Sequence, residues 1–159
     1  MKVTLICVGK IKEKFYSDAI KEYEKRLQSY CTFKIVEVAD EKTKEGASQK
    51  MNDSVKLKEA ERLLPFIKDD DYVITLEILG KSPDSVEFAK TINECTLRGK
   101  SSIVFIIGGS LGLHENVVRR ADFHLSFSKM TFPHQLMRVI LTEQIYRAFR
   151  IINNEPYHK

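Results

Sequence analysis

Hydrophobic positions along this chain change period several times. Val3-Thr4-Leu5-Ile6-Cys7-Val8 is a short apolar run closed by Gly9, the pattern of a buried strand. From Phe15 to Tyr30 the apolar side chains fall at Tyr16, Ala19, Ile20, Tyr23 and Leu27, which is helical spacing. Thr32 to Val38 predicts a second strand, with Phe33, Ile35, Val36 and Val38. Asp40 to Asp53 is polar, holds Gly46 and has no apolar period, so it predicts an exposed loop leading into a helix over Ser54 to Lys68. Asp71 to Leu76 predicts the third strand. Ser82-Pro83-Asp84-Ser85 predicts the start of the next helix, with Ser as cap and Pro in the first turn. Ser102 to Ile107 is the most apolar run and predicts a central strand; Gly108-Gly109-Ser110-Leu111-Gly112 follows it. A short helix near Glu115 to Ala121 and a last strand over Phe123 to Phe127 come next.

Pro133 predicts the start of the final helix, which runs to about Ile152. Met137, Leu141, Ile145, Ala148 and Ile152 share one face, and Leu136, Ile140 and Ile151 widen it, with Glu143, Tyr146, Arg147 and Arg150 mostly opposite. So broad an apolar arc predicts burial on more than one side, by the core or by a second subunit. Strands alternating with helices, without repeat, low-complexity tract or linker, predict one α/β domain over 1–159, with a mainly parallel sheet and helices on both faces.

Composition narrows the class. A 43% hydrophobic share over 159 residues suffices for a core. No apolar run reaches membrane-spanning length, and the first residues lack a signal peptide's apolar stretch. Cys7, Cys31 and Cys95 are odd in number and widely spaced, which fits a reducing cytosol rather than a disulfide framework or a zinc knuckle. The expected location is therefore cytoplasmic. The net charge of +4 is concentrated from Arg120 onward, where 6 Lys/Arg stand against 3 Asp/Glu, a placement that makes phosphate attraction conceivable without requiring it.

In an open parallel sheet, ligands bind beyond the carboxyl ends of the strands. Three such ends carry Gly or small polar residues: Leu76 to Lys81, Gly108 to Gly112, and Ser126 to His134. Each alone reads as turn chemistry; three on one edge point to a pocket. Gly108-Gly109-Ser110-Leu111-Gly112 also matches the G-x-S-x-G elbow of hydrolases, with Asp122 and His124, His134 or His158 following in order. Against a serine hydrolase stand the short chain and the missing oxyanion segment. A non-catalytic nucleotide- or RNA-binding module is a further alternative. There is no P-loop and no G-x-G-x-x-G after the first strand, and the isolated histidines argue against a metal site. The chain closes on Glu155-Pro156-Tyr157-His158-Lys159. Tyr and His can stack on a base and move a proton near neutral pH, although chain ends are usually frayed.

Taken together, Ile106 to Leu113, Leu125 to His134, Tyr146-Arg147-Ala148-Phe149 and the closing Pro156-Tyr157-His158 resemble the RlmH type of SPOUT methyltransferase. Val8-Gly9-Lys10-Ile11-Lys12 and Leu76 to Lys81 extend the resemblance over the whole chain. That family methylates a pseudouridine of large-subunit ribosomal RNA at ring N3. The resemblance implies a carboxyl-terminal trefoil knot, an exception to the rule against knots, and a homodimer. It implies S-adenosylmethionine held by Leu76, Gly108, Phe127, Ser128, Lys129, Met130, Thr131 and Phe132, with no metal. His158 is then the expected general base and Tyr157 the residue that positions the target. Arg147 and Arg138 would hold phosphate or stabilise the deprotonated ring, and His134 would contact substrate or fix the cofactor loop. The modest charge points to the assembled ribosome rather than naked RNA as substrate.

Overall fold

The computed structural model describes Met1–Lys159. In chain order the elements are β1 (Lys2–Val8), α1 (Lys14–Leu27), β2 (Thr32–Val38), α2 (Gln49–Leu63), β3 (Tyr72–Lys81), α3 (Ser85–Leu97), β4 (Ser102–Ile107), α4 (Glu115–Arg120), β5 (Phe123–Leu125) and α5 (His134–Ile152). The five strands form one sheet in the order β2-β1-β4-β3-β5, and every pairing is parallel. All strands therefore end at the same edge.

Alternation along the central strands sorts the core into two layers. Leu5, Cys7, Phe105 and Ile107 face one side, where they meet Leu27 of α1, Phe88 and Ile92 of α3, and Leu141, Ile145 and Phe149 of α5. Ile6, Val8, Val104 and Ile106 face the other, against Ala60 and Leu63 of α2 and Val117 of α4. β1 and β4 are buried on both faces, which explains their unbroken apolar runs. On the first side α5 packs between α1 and α3.

Local chemistry moves several boundaries from their expected places. α2 begins at Gln49 rather than Ser54, because the Ser48 hydroxyl accepts from Met51 N–H and starts a helix whose first turn is exposed and so shows no apolar period. It ends at Leu63 in a 3₁₀ turn, Leu64–Phe66, rather than continuing to Lys68, since Pro65 offers no N–H. α3 is capped by Asp84, not Ser82: the carboxylate accepts from Val86 and Glu87 N–H while Glu87 reaches back to Asp84 N–H. α1 stops at Leu27 rather than Tyr30, α4 stops at Arg120, and Pro133 stands at the N-cap of α5 rather than inside it. Tyr146, expected on the polar side of the last helix, is buried against Tyr157, Tyr30 and Tyr23.

The largest departure is β3, which runs past Leu76 to Lys81, while β5 stops at Leu125 instead of Phe127. Leu125 is in register with both Leu76 and Lys81, so the residues between them bulge out of the ladder. Ser126 N–H donates to the Lys81 carbonyl at 2.8 Å and the Ser126 hydroxyl to the Ile78 carbonyl at 2.9 Å. A Cβ at Gly80 would stand 2.7 Å from the His124 carbonyl oxygen, so this crossing requires glycine.

Candidate functional site

Beyond the carboxyl ends of β3, β4 and β5 the three loops enclose a cavity of ≈ 770 Å³. That is the size of a small-molecule or cofactor site. Leu76, Gly108, Phe127, Ser128, Met130, Thr131, Phe132 and His134 line it, as the strand-end pattern anticipates. Lys129 is an exception: its neighbours line the cavity while it is exposed on the rim.

The β4 loop is a tight turn in which Gly112 N–H donates to the Gly109 carbonyl at 3.1 Å and Gly112 takes φ +81°. A Cβ on Gly108 would lie 2.9 Å from the Gly112 carbonyl carbon, so the turn closes over Gly108 only because it has no side chain. Across this turn Gly109 rests on the buried Glu59 carboxylate. The β5 loop is stiffened by the Ser126 hydroxyl, which also lies 3.1 Å from the Ser128 carbonyl, and by Met130 N–H donating to Ser128 Oγ at 3.0 Å. Ser110 is exposed at the turn tip, and no base is hydrogen-bonded to it. A serine nucleophile needs such a base, so the hydrolase alternative loses its central requirement. His124 is committed instead to Glu77, 2.7 Å away.

Glu77 is the wall residue that pattern reasoning missed. Its Oε1 accepts from the Thr75 hydroxyl at 2.5 Å and faces His124 Nδ1, so the carboxylate is held rigidly in an otherwise largely apolar wall. Its signal was an acidic residue inside the Leu76 to Lys81 loop, a place where cofactor sites put a ribose-binding carboxylate. Met137 was read only as a core residue of α5 and also lines the cavity.

His134 lies at the first turn of α5, on the cavity wall. Burial, reinforced by the Arg138 guanidinium, holds its imidazole below the ordinary histidine range, hence neutral at pH 7. Arg138 itself is not a ligand-binding group. It is 1% exposed, donates to Glu37 Oε1 and to the Val8 and Gly9 carbonyls, each at 2.8 Å, and so ties α5 to the ends of β1 and β2. The expectation that it contacts phosphate is corrected: both terminal nitrogens are bonded inside the protein, and Nε, which has no partner, is buried with them.

The closing residues are packed rather than frayed. Arg150 pairs with Glu155 at 2.7 Å and donates to the Pro156 carbonyl at 2.9 Å, while the Tyr30 hydroxyl donates to Glu155. The Tyr157 hydroxyl donates to Glu143 Oε1 at 3.0 Å, and its ring lies 4.6 Å from the Arg147 guanidinium and 5.0 Å from the Tyr146 ring. Burial, and then the bond to Glu143, raise the Tyr157 phenol above its ordinary range, so it stays a protonated donor. Arg147 holds Glu143 at 2.6 Å. His158 is exposed beyond this cluster. None of Arg147, Tyr157 and His158 lines the cavity of its own chain. Arg147 stands ten residues beyond Met137 on α5, about 15 Å along the axis at the helical rise.

The cavity suits S-adenosylmethionine. The apolar walls suit the adenine ring and the methionine chain, and Glu77 offers a carboxylate to ribose hydroxyls or to a sulfonium charge. No cluster of three or more His, Cys, Asp or Glu is placed to hold a metal ion.

A family model described as "Predicted SPOUT methyltransferase" matches residues 1–158. The putative ribosomal RNA large subunit methyltransferase H of Methanococcus maripaludis is 62% identical over 159 residues, covering 100% of both chains. The ribosomal RNA large subunit methyltransferase H of Clostridium botulinum strain Kyoto is 58% identical with the same full coverage. Among solved structures, the SpoU methyltransferase AviRb of Streptomyces viridochromogenes, determined with AdoMet, aligns with 97% of this chain and 59% of its own at 10% identity and a TM-score of 0.49.

Proposed function

The chain belongs to the SPOUT methyltransferase family, and we propose accordingly that it methylates ring N3 of a pseudouridine in large-subunit ribosomal RNA. The observation that carries the reading is the cavity itself: three of the segments that bear the family resemblance, Leu76 to Lys81, Ile106 to Leu113 and Leu125 to His134, converge on one site although they are far apart in sequence. When bound there, S-adenosylmethionine supplies a methyl group already activated by its sulfonium. The protein's tasks are to align the nucleophile and to take one proton. Leu76, Gly108, Phe127, Ser128 and Met130 to Phe132 hold the cofactor, and Glu77 joins them.

His158 is the general base for the weakly acidic N3–H, with Tyr157 beside it to position the target ring. Arg147 acts as a positioning residue, since its guanidinium lies against the Tyr157 ring and holds Glu143. Because these groups stand away from their own chain's cavity, the tail completes the cavity of a second copy. A homodimer is also supported by Leu136, Val139 and Ile140, which α5 leaves only half-covered, and by Leu79 and Met130, exposed at 93% and 71% on the cavity rim. The three free, buried cysteines fit work in the cytosol.

The test is transfer of tritium from labelled S-adenosylmethionine to ribosomes from a strain lacking this gene, beside deproteinised ribosomal RNA. Label in large-subunit RNA, stronger with ribosomes, is the expected result. No label in either, with cofactor binding verified, would contradict the reading.

A further inference from the structure

We propose that Lys10, Lys12, Lys42, Lys44 and Lys50, with the bare ring of Phe15, form the surface that grips the phosphate backbone of the RNA substrate beside the cofactor cavity. The inference rests on the methyl transfer to RNA proposed above. Because the sheet is wholly parallel, the segments after β1 and β2 leave at the same edge as the cavity. Both are anchored on residues of its wall or next to it. Lys12 and Glu13 N–H donate to Gln135 Oε1 at 2.8 and 3.3 Å, one residue from the cavity-lining His134. Glu41 N–H donates at 3.1 Å to Glu59, whose carboxylate lies against the cavity-lining Gly109.

The charges left outward are mostly positive. The Glu37 carboxylate is taken by Arg138 and that of Glu41 by Arg62, while Glu59 is buried. The lysines engaged with a carboxylate are Lys14, with Asp18, and Lys56, with Asp53. Lys10, Lys12, Lys42, Lys44 and Lys50 are exposed and outside every ion pair, opposed only by Glu13, Asp40 and Glu45. On the far side of the cavity the exposed Lys129 continues the rim. Phe15 is 65% exposed at the start of α1, soon after Lys10 and Lys12, with the ring of the neighbouring Tyr16 against it. Flexible ammonium groups on two neighbouring loops and the first turn of α2, with an open aromatic among them, match a phosphate backbone and an unstacked base.

The experiment uses the full chain with the five lysines replaced by Ala, and separately Phe15→Ala. Methyl transfer to unmethylated ribosomes is followed between about 50 and 200 mM salt, and binding to a protein-free large-subunit RNA fragment is measured over the same range. Cofactor binding by calorimetry serves as the folding control and should match the parent. The expected result is a KM for ribosomes raised on the order of tenfold with kcat little changed. The salt slope for RNA should flatten by about 0.7–0.9 for each phosphate that the variant no longer neutralises. An unchanged KM and slope, with the parent active, would overturn the proposal. So would a raised KM on ribosomes with unaltered binding to the RNA fragment, which would assign the lysines to an acidic protein. A parent that binds cofactor yet labels no RNA would remove the underlying methyltransferase reading instead, and the lysine surface with it.

Discussion

Tyr157 has a ring and a hydroxyl, and the structure uses both: the ring packs against Arg147 and Tyr146 and the hydroxyl anchors to Glu143. That anchoring leaves the next residue, His158, exposed at the end of an ordered arm. His158→Ala should lower kcat by about 10²–10⁴-fold, the usual worth of a general base, with cofactor affinity unchanged by calorimetry. A variant that keeps the parental rate would strip His158 of that role. His134 gives a pH prediction. Its imidazole is harder to protonate in the folded chain than in the unfolded one, first through burial and then through Arg138. The unfolded state therefore binds more protons as pH falls through the ordinary histidine value of about 6.5, and stability drops there. Urea midpoints between pH 8 and pH 5 should fall less steeply for His134→Gln than for the parent; parallel curves would contradict the assignment.

At the scale of elements, α5 is held by Arg138 as much as by its apolar face. The guanidinium joins Glu37 and two carbonyls at the ends of β1 and β2, so Arg138→Ala leaves a void and takes the donor away from all three. The loss should be about 2–4 kcal/mol, most of it from the backbone carbonyls left without a partner. Arg138→Lys should recover little, because one ammonium does not reproduce the planar fork. Chemical denaturation reads both, and a loss below about 1 kcal/mol for the Ala variant would show that the arginine is dispensable to the fold. Gly80→Ala drives a methyl into the His124 backbone and should cost about 1–3 kcal/mol while weakening cofactor binding, because it opens the crossing that shapes one cavity wall.

These same elements show what could be read from the sequence. The apolar periods located the strands, while α3 was placed by its start signals; the run at Ser102–Ile107 marked a central strand, because burial on both faces writes itself into composition. The bulged pairing of β3 with β5 was invisible: Gly80 and Lys81 look like a turn, and only backbone contact with His124 and Leu125 gives them another meaning. The cavity's glycine and small polar loops were legible through their place at strand ends. Arg138 was misread because a charged residue in an amphipathic helix looks exposed until its partners, remote in sequence, are known.

For the whole molecule, the governing fact is separation. One chain carries a cofactor-sized cavity at the first turn of α5 and a tail bearing Tyr157 and His158 beyond its last. If the tail works in a partner's cavity, two differently crippled subunits should complement each other. Mixing a chain lacking residues 155–159 with a Gly108→Val chain should restore about a quarter to a half of parental activity, whereas each alone stays inactive. Continued inactivity of refolded mixed dimers would place tail and cavity in the same chain.

Identifying the methylated nucleoside decides the reaction itself. Ribosomes from a strain lacking this gene are incubated with the protein and S-adenosylmethionine, and the large-subunit RNA is digested to nucleosides for mass spectrometry. One new species is expected, pseudouridine carrying a methyl group at ring N3, formed by the parent and greatly diminished with His158→Ala. A methyl group on another base, on a ribose hydroxyl or on ribosomal protein would contradict pseudouridine N3 methylation.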